Sequence, residues 1–273
     1  LNDVFRLSLR QDNRLWDDPV DDVATRLRWP RESKTDRLSS YRLYPRASIR
    51  VLGSRPFSLA LYGREGTPER LSMVFANKGD IRAAADGEFG GDAGGVSAAD
   101  VEDWVEREAD IIASALTECL GEPDRTFYGK GRLKERASRW DWNGHAVLLA
   151  APDGEYVAVR VLPSDLADQD GFNPRTNDEE LRDILEANVE KRPNGDVVIV
   201  GIPMVDQGPK GYCVPATWER YLRYLGMHAD MYVLAMAGET LVGGGTRTGL
   251  MARNVSKLVS LNGRDLQRIR SGP

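Results

Sequence analysis

The feature that most restricts the fold is a change in the spacing of apolar residues along the chain. Apolar and polar residues alternate from Tyr41, and apolar residues then recur three and four positions apart across residues 97–121. Alternation returns after that stretch and continues to about residue 162. A period of two predicts strands, and a period near 3.6 predicts an amphipathic helix. Strands interrupted by one long helix predict an α+β fold.

Three strands are predicted before the helix and three after it. They are Ser48–Leu52, Phe57–Tyr62, Leu71–Phe75, Arg139–Trp142, His145–Ala150 and Glu155–Leu162. A flexible glycine-rich loop is expected at residues 86–95, and the helix is predicted to begin at Ser97 and to end at Gly121. Cys119 falls in the middle of the apolar stripe of this helix, so we expect a buried, structural thiol there.

Length and composition fit one large domain or two modest ones. The chain has 273 residues, of which 41% are hydrophobic and 29% are charged, which is ordinary for a globular protein. We divide it into an N-terminal extension at residues 1–40, an α+β domain at 41–165 and a C-terminal domain at 177–273. The polar stretch Ser164–Thr176, which contains a glycine and a proline, is the predicted linker.

Charge and motifs exclude several classes of function. The net charge is −5, which argues against a general nucleic-acid binder, because such proteins present a strongly basic face. The longest apolar runs are far shorter than the roughly 20 residues that span a bilayer, so we expect no membrane insertion. No metal and no cofactor are expected, because the sequence shows neither the spacing of a zinc site nor a phosphate-binding or dinucleotide-binding fingerprint.

The segment with the clearest chemistry lies between Asp206 and Thr217 and reads Asp-Gln-Gly-Pro-Lys-Gly-Tyr-Cys-Val-Pro-Ala-Thr. A helix is predicted from about Val214 to Gly226, and Cys213 projects roughly 120° away from its apolar stripe. This periodicity predicts an exposed thiol at a helix N-terminus. The helix dipole favours the thiolate there, which is the reactive form of cysteine.

Gln207 lies six residues before that thiol. Its side-chain amide can donate to a developing oxyanion, and together with the backbone N–H of Cys213 it would form a two-donor oxyanion hole. Gly208 and Gly211 allow a tight backbone turn ahead of the helix and leave room for an extended substrate. The segment therefore predicts Cys213 as a nucleophile and Gln207 as an oxyanion stabiliser.

The combination of Gln207, Gly208, Gly211 and Cys213 at the start of a helix resembles the active-site segment of papain-like cysteine peptidases. The closest similarity is to bacterial members related to the double-glycine leader peptidases. By this resemblance Cys213 is the nucleophile and Gln207 is the oxyanion residue. The C-terminal part of the chain is then the nucleophile-helix portion of a papain-like domain.

A wider stretch, Gly195–Gly245, is similar to a group of uncharacterised bacterial proteins of that kind. Those proteins carry Ile-Pro-Met-Val-Asp-Gln-Gly before the cysteine and Gly-Gly-Gly-Thr after it, as residues 202–208 and 243–246 do here. This similarity and the lack of an initiator Met before Leu1 lead us to expect an exported bacterial protein.

A papain-like enzyme also needs a general-base histidine, normally on a strand after the cysteine helix. After Cys213 the only histidine is His228, which we expect in an exposed loop. We therefore expect the base to lie beyond the end of this chain, so that the papain-like domain is C-terminally truncated. The rival is His145, at the start of a predicted strand, which would need a permuted order of the two catalytic residues. The alternative for His145 is a purely structural role.

The predicted function is that of a cysteine peptidase, a hydrolase that acts on a peptide or protein substrate. One alternative is an inactive peptidase-like module that binds peptides or proteins. Another is a cysteine-dependent amidase or acyltransferase, because these enzymes share the same nucleophile and oxyanion chemistry. The residues leave cleavage specificity and oligomeric state open.

Overall fold

The computed structural model describes residues 2–9, 14–79, 98–152, 154–171, 177–208, 211–240 and 245–267. The helices in this part of the chain are α1 (Asn2–Phe5), α2 (Val20–Leu27), α3 (Ala98–Leu120), α4 (Ser164–Asp168), α5 (Asp178–Ala187), α6 (Cys213–Tyr224), α7 (Met231–Ala237) and α8 (Thr248–Leu261). The strands are β1 (Arg31–Lys34), β2 (Leu38–Leu43), β3 (Ser58–Arg64), β4 (Thr67–Asn77), β5 (Asp124–Tyr128), β6 (Glu135–Trp142), β7 (His145–Ala150), β8 (Tyr156–Pro163), β9 (Val189–Lys191) and β10 (Val197–Ile199). Short 3₁₀ turns occur at Leu15–Asp17 and Gly131–Leu133.

Eight of the strands form one antiparallel sheet in the order β1-β2-β3-β4-β8-β7-β6-β5. The first four strands follow one another in the chain, and so do the last four, so the sheet consists of two meanders. They meet where β4 pairs with β8, from Leu71 opposite Val161 to Asn77 opposite Tyr156. Strands β9 and β10 form a separate two-stranded ribbon. The mixture of an antiparallel sheet with helices confirms the predicted α+β class.

One face of the sheet carries the main apolar core. The alternating side chains of Val157, Val159 and Val161 on β8 point to this face and are buried. Helix α3 covers it with Ile112 and Leu116, as the predicted apolar stripe required. Burial of each such side chain contributes roughly 1.5–3 kcal/mol, which is why this long helix packs flat on the sheet.

The opposite face is covered by α6 and α7 and is far more polar. An apolar cluster between sheet and helices comprises Val74, Tyr156, Ala158, Val205, Tyr212, Ala216, Met231, Tyr232 and Ala235. Beside this cluster the strands carry buried arginines at Arg42, Arg70 and Arg160. The two faces of the same sheet therefore have different chemistry.

Most of the predicted strands and the long helix are confirmed, but two expectations are wrong. Ser48–Leu52 is not a strand, because Val51 and Ser54 form an isolated bridge around a turn with positive φ at Leu52 and Gly53. Cys119 is exposed rather than buried. The side chains of α3 that pack on the core are Val101, Val105, Ala109, Ile112, Ala113, Ala115, Leu116 and Leu120, and Cys119 in the last turn of the helix is not among them.

Elements from all three predicted segments either belong to the eight-stranded sheet or pack on it. Strand β2 runs across the predicted boundary at residue 40, and β1 lies wholly within the predicted extension. Residues 164–168 of the predicted linker form α4, which packs on the sheet through Leu166 and Ala167. The C-terminal helices α6 and α7 contribute to the cluster on the polar face.

Some expectations concern residues outside the described ranges. These are the glycine-rich loop at 86–95, the cap at Ser97, the end of the predicted linker at 172–176 and the glycines at 243–244. Within the described ranges, no helix combines the length and the apolar character that crossing a bilayer requires.

Candidate active site

Cys213 is exposed and is the first residue of α6. The residue before it, Tyr212, is buried in the cluster on the polar face, and its hydroxyl donates to Asn77 Oδ1 over 2.9 Å. Thr217 closes the first turn by donating from Oγ1 to the carbonyl oxygen of Cys213 over 2.7 Å. The start of the helix is therefore fixed to the end of β4, while the thiol side chain faces solvent.

Gln207 is half-buried and lies on an irregular segment, residues 203–208, which we call the arm. The arm runs along the first strands of the sheet. The backbone N–H of Met204 donates to Ser33 Oγ over 2.9 Å, and that of Asp206 donates to Glu32 Oε1 over 2.7 Å. The Tyr44 hydroxyl donates to the carbonyl oxygen of Asp206 over 2.6 Å.

The arm is also joined to the helix that carries the thiol. Arg220 of α6 donates from Nε to the carbonyl oxygen of Pro203 over 3.1 Å. The arm and α6 therefore contact each other as well as the sheet. Both sequence-predicted site residues, Gln207 and Cys213, belong to segments that are held by the same polar face.

Gly208 is required by the geometry of the arm. Its φ is +67°, and a Cβ built on it would lie 2.7 Å from the ring of Tyr44. Both the left-handed backbone and the close approach of the ring disfavour other residues at this position. Gly211 differs, because a Cβ there would meet nothing within 4 Å. Among the described residues, contacts of this kind therefore do not require glycine at position 211.

His145, the rival general base, is a buried structural residue. Its Nε2 accepts the backbone N–H of Leu15 over 3.1 Å, and its Nδ1 lies 3.1 and 3.0 Å from the carbonyl oxygens of Trp142 and Asn143. These contacts correspond to a neutral ring with its proton on Nδ1. The rings of Trp16 and Trp142 pack at 5.2 and 5.7 Å from it.

His145 and Cys213 lie on opposite faces and toward opposite ends of the sheet. His145 pairs with Pro163, the last residue of β8, and packs on the face that α3 covers. Tyr212, next to Cys213, contacts Asn77, which pairs with the first residue of β8 on the other face. The sheet separates the two side chains, so a permuted dyad of His145 and Cys213 is incompatible with this geometry.

His228 was expected in an exposed loop; it does lie in the loop after α6, but it is not exposed. The side chain is half-buried beneath the helices, with its ring edge-on to Tyr62 at 6.3 Å. Burial, together with the positive charges of Arg70 and Arg160, lowers the pKa of His228 well below its usual range. Helix α6 runs from Cys213 toward His228, and its twelve residues extend over roughly 18 Å. His228 is therefore at the far end of the helix from the thiol.

Sequence reasoning missed a buried charged network under α6. Arg42 on β2 donates to Glu32 Oε1 over 2.6 Å and to the Tyr62 hydroxyl over 2.9 Å. Its Nη2 lies 3.8 Å from Glu219 Oε1 on α6, and Tyr62 also donates to that oxygen over 3.2 Å. The other oxygen of Glu219 accepts the backbone N–H of Met231 over 2.8 Å, which ties α6 to α7.

Burial dominates the electrostatics of this network. It raises the pKa of Glu219 to about 7, against the opposing effect of Arg42 and Arg223. A signal for the network exists in the sequence, because Glu219 falls between the apolar positions 218 and 222 of the α6 stripe. A charged residue at such a position is buried only when it has a partner.

A second buried ion pair lies on the same face but away from the arm. Arg160 on β8 pairs with Glu135 on β6, and the Tyr156 hydroxyl donates to the same carboxylate. A small pocket of about 50 Å³ lies beside this pair and is lined by His228, among others. Cys213 and Gln207 do not line that pocket.

An open cleft of about 860 Å³ lies between the β1–β2 hairpin, α5 and the C-terminal end of α6. It includes Met204 at the start of the arm, but neither Cys213 nor Gln207 lines it.

In the described part of the chain, no group of three His, Cys, Asp or Glu side chains is arranged to hold a metal ion.

Comparisons with known proteins add no relative. No protein-family profile, no curated protein and no solved structure matches this chain.

Proposed function

We propose that this chain carries the nucleophile and oxyanion residues of a cysteine-dependent peptidase. The observation that carries the proposal is an exposed thiol, Cys213, at the anchored start of a helix whose side contacts the arm bearing Gln207. The N-terminal end of a helix stabilises negative charge that develops beside it. A chain with an exposed cysteine in an unanchored loop would lack this combination.

In the proposed reaction, Cys213 Sγ attacks the carbonyl carbon of the scissile peptide bond. The developing oxyanion accepts hydrogen bonds from the Gln207 amide and from the Cys213 backbone N–H. The tetrahedral intermediate collapses to a thioester as the C–N bond breaks, and water then hydrolyses the thioester. The leaving amine must gain a proton, so a general acid–base group is required.

Neither histidine of the chain is placed to supply that group. His145 is across the sheet, and His228 is at the far end of α6 with a strongly lowered pKa. The proposed peptidase therefore takes its acid–base residue from outside the residues described here. If no such residue exists, the arrangement is that of a peptide-binding module, which is the second candidate function.

The chain offers a matched control for the nucleophile. Cys119 is also exposed, but it lies in the last turn of α3, at the negative end of the helix dipole. We expect iodoacetamide to alkylate Cys213 roughly two- to fivefold faster than Cys119 at pH 7, from the helix dipole alone. Mass spectrometry of the two cysteine peptides over a time course measures this ratio. Equal rates would remove the support for an activated thiol.

The peptidase itself is tested on the protein expressed from its complete gene. Cleavage of a peptide library, read by mass spectrometry, should disappear in Cys213→Ala and persist in Cys119→Ala. Loss of an oxyanion donor typically costs about 100-fold or more in turnover, so Gln207→Ala should fall by that order. Cleavage that survives Cys213→Ala would refute the proposal, and binding of peptides without cleavage would favour the second candidate.

A further inference from the structure

The arm that carries Gln207 and the helix that carries Cys213 are each held by a buried carboxylate. Glu32 Oε1 accepts the backbone N–H of Asp206, directly before Gln207. Glu219 belongs to α6 itself, six residues after Cys213. These two carboxylates come from opposite sides of the candidate site.

Both carboxylates meet on one guanidinium group. Arg42 donates from Nε to Glu32 Oε1 over 2.6 Å, and its Nη2 lies 3.8 Å from Glu219 Oε1. The Tyr62 hydroxyl completes the link, because it accepts from Arg42 Nη2 and donates to Glu219. A continuous chain of short contacts thus runs from the backbone of the arm, through Arg42, to the nucleophile helix.

Burial makes this link rigid. The side chains of Arg42 and Glu32 are each 2% exposed, and that of Glu219 is 0% exposed. One oxygen of Glu32, Oε2, is buried without a hydrogen-bond partner among the described residues, while Oε1 receives both Arg42 and Asp206. Buried ion pairs are weak devices for stability, since desolvation offsets their attraction, but they can specify one geometry.

We propose that Arg42 is a positioning residue for the candidate active site. Through Glu32 it fixes the backbone that carries Gln207, and through Glu219 it fixes the helix that carries Cys213. It thereby sets the position of the Gln207 amide relative to the thiol. This inference rests on the proposed function, and it goes beyond it by assigning the geometry of the site to a residue on the opposite side of α6.

The test uses a reaction that needs no general acid. p-Nitrophenyl acetate acylates a thiolate: the Sγ–C bond forms, the C–O bond breaks, p-nitrophenolate leaves, and the thiol proton goes to solvent. This step passes through a tetrahedral oxyanion, whereas alkylation by iodoacetamide does not. The ratio of the two rates at Cys213, in a Cys119→Ala background, therefore reports oxyanion assistance separately from thiol reactivity.

We expect Arg42→Met to slow acylation by roughly tenfold or more, toward the loss that Gln207→Ala causes, while alkylation changes less than about twofold. Arg42→Lys keeps the charge but loses the forked geometry, so an intermediate loss is expected. Glu32→Gln keeps the acceptor for the Asp206 N–H and should retain most of the rate.

Arg160→Met is the matched control, because Arg160 is an equally buried arginine with a buried glutamate partner on the same sheet face. It should destabilise the protein similarly but leave the acylation-to-alkylation ratio unchanged. The exchange rate of the backbone N–H groups of the arm, at residues 204–208, should rise in Arg42→Met and stay low in Arg160→Met. The exchange measurement reports the arm directly, without reference to any reaction.

Different results would overturn the proposed function and the positioning role of Arg42. If Gln207→Ala leaves acylation of Cys213 unchanged, the proposed function is wrong. If Gln207→Ala slows acylation but Arg42→Met does not, or if Arg160→Met slows it equally, only the positioning role is overturned. A variant of Arg42 that does not fold is replaced by Arg42→Lys, for which the same comparison with Arg160→Lys decides the outcome.

Discussion

At the scale of single residues, local surroundings decide which side chains are available for chemistry. The two histidines differ from the two cysteines in this respect, since Cys119 and Cys213 are exposed whereas His145 is fully engaged in hydrogen bonds. His228 is held neutral by burial and by nearby arginines. The chain therefore exposes both thiols to solvent and keeps both imidazoles at least partly buried.

Gly208 gives a prediction at this scale. Gly208→Ala should cost about 1–2 kcal/mol for the left-handed backbone and about 1 kcal/mol more for the clash with Tyr44. Gly195→Ala is the control, because its φ is +89° but a Cβ there meets nothing within 4 Å. Urea unfolding of both variants measures the difference. Equal losses would show that the Tyr44 contact adjusts freely.

At the scale of elements, the spacing of apolar residues was sufficient to predict those strands and helices that have one apolar face. β7 and β8 were predicted almost to the residue, because apolar side chains recur at every second position toward the main core, at 147 and 149 on β7 and at 157, 159 and 161 on β8. β5 was missed because this edge strand, Asp-Arg-Thr-Phe-Tyr, is mostly exposed and lacks alternation. The Cys213 helix was predicted from its apolar stripe.

The contacts of the candidate site could not be predicted in the same way. The sequence pointed to Gln207 and Cys213 because local spacing and the start of a helix are visible in it. The partners of the arm, Glu32, Ser33 and Tyr44, are more than 160 positions away in the chain. Such contacts depend on how the sheet is assembled, and no local pattern encodes them.

Helix α3 provides a prediction for an element. Ile112 is 0% exposed in the main core, whereas its neighbour Ile111 is 46% exposed. Ile112→Ala should lower the free energy of unfolding by roughly 2–5 kcal/mol, because it leaves a cavity against the sheet. Ile111→Ala should change it by less than about 0.5 kcal/mol. Chemical denaturation of both variants tests which side of the helix faces the core. Similar losses for the two variants would contradict the packing described here.

At the scale of the whole molecule, the sheet separates an apolar half from a half in which the helices cover a sheet face that carries buried charge. Helix α3 packs on valine and leucine, whereas α6 and α7 pack over Arg42, Glu219 and their partners. Buried charge makes the second half sensitive to pH, because the folded and unfolded states bind protons differently.

Glu219 gives the sign of that sensitivity. Its pKa is raised to about 7 from an ordinary value of 4.5, so the folded state holds a proton between these values that the unfolded state has lost. The stabilisation of the protonated form is complete below pH 4.5 and is lost as the pH rises through 7. Glu219→Gln removes this dependence, while its amide oxygen still accepts the Met231 N–H.

We therefore expect the stability of Glu219→Gln relative to the parent chain to rise by roughly 1–3 kcal/mol from pH 4.5 to pH 8. Urea unfolding of both proteins across this range measures it. The lowered pKa of His228 acts in the opposite direction below pH 6.5, but it is common to both proteins and cancels in the difference. Glu65→Gln, at an exposed position, is the control, and a flat difference for Glu219→Gln would contradict the expectation.

The meeting of β4 and β8 has a consequence for how the chain folds. Among the strands described in the sheet, this is the one neighbouring pair that is not consecutive in the chain. The other six pairings close loops of two to fourteen residues, whereas this one must bring together strands on either side of α3 and three further strands, which costs more chain entropy. The two meanders can therefore form first, with their joining as the late step. Substitutions within a hairpin should then alter the folding rate, and those where β4 meets β8 should mainly alter the unfolding rate.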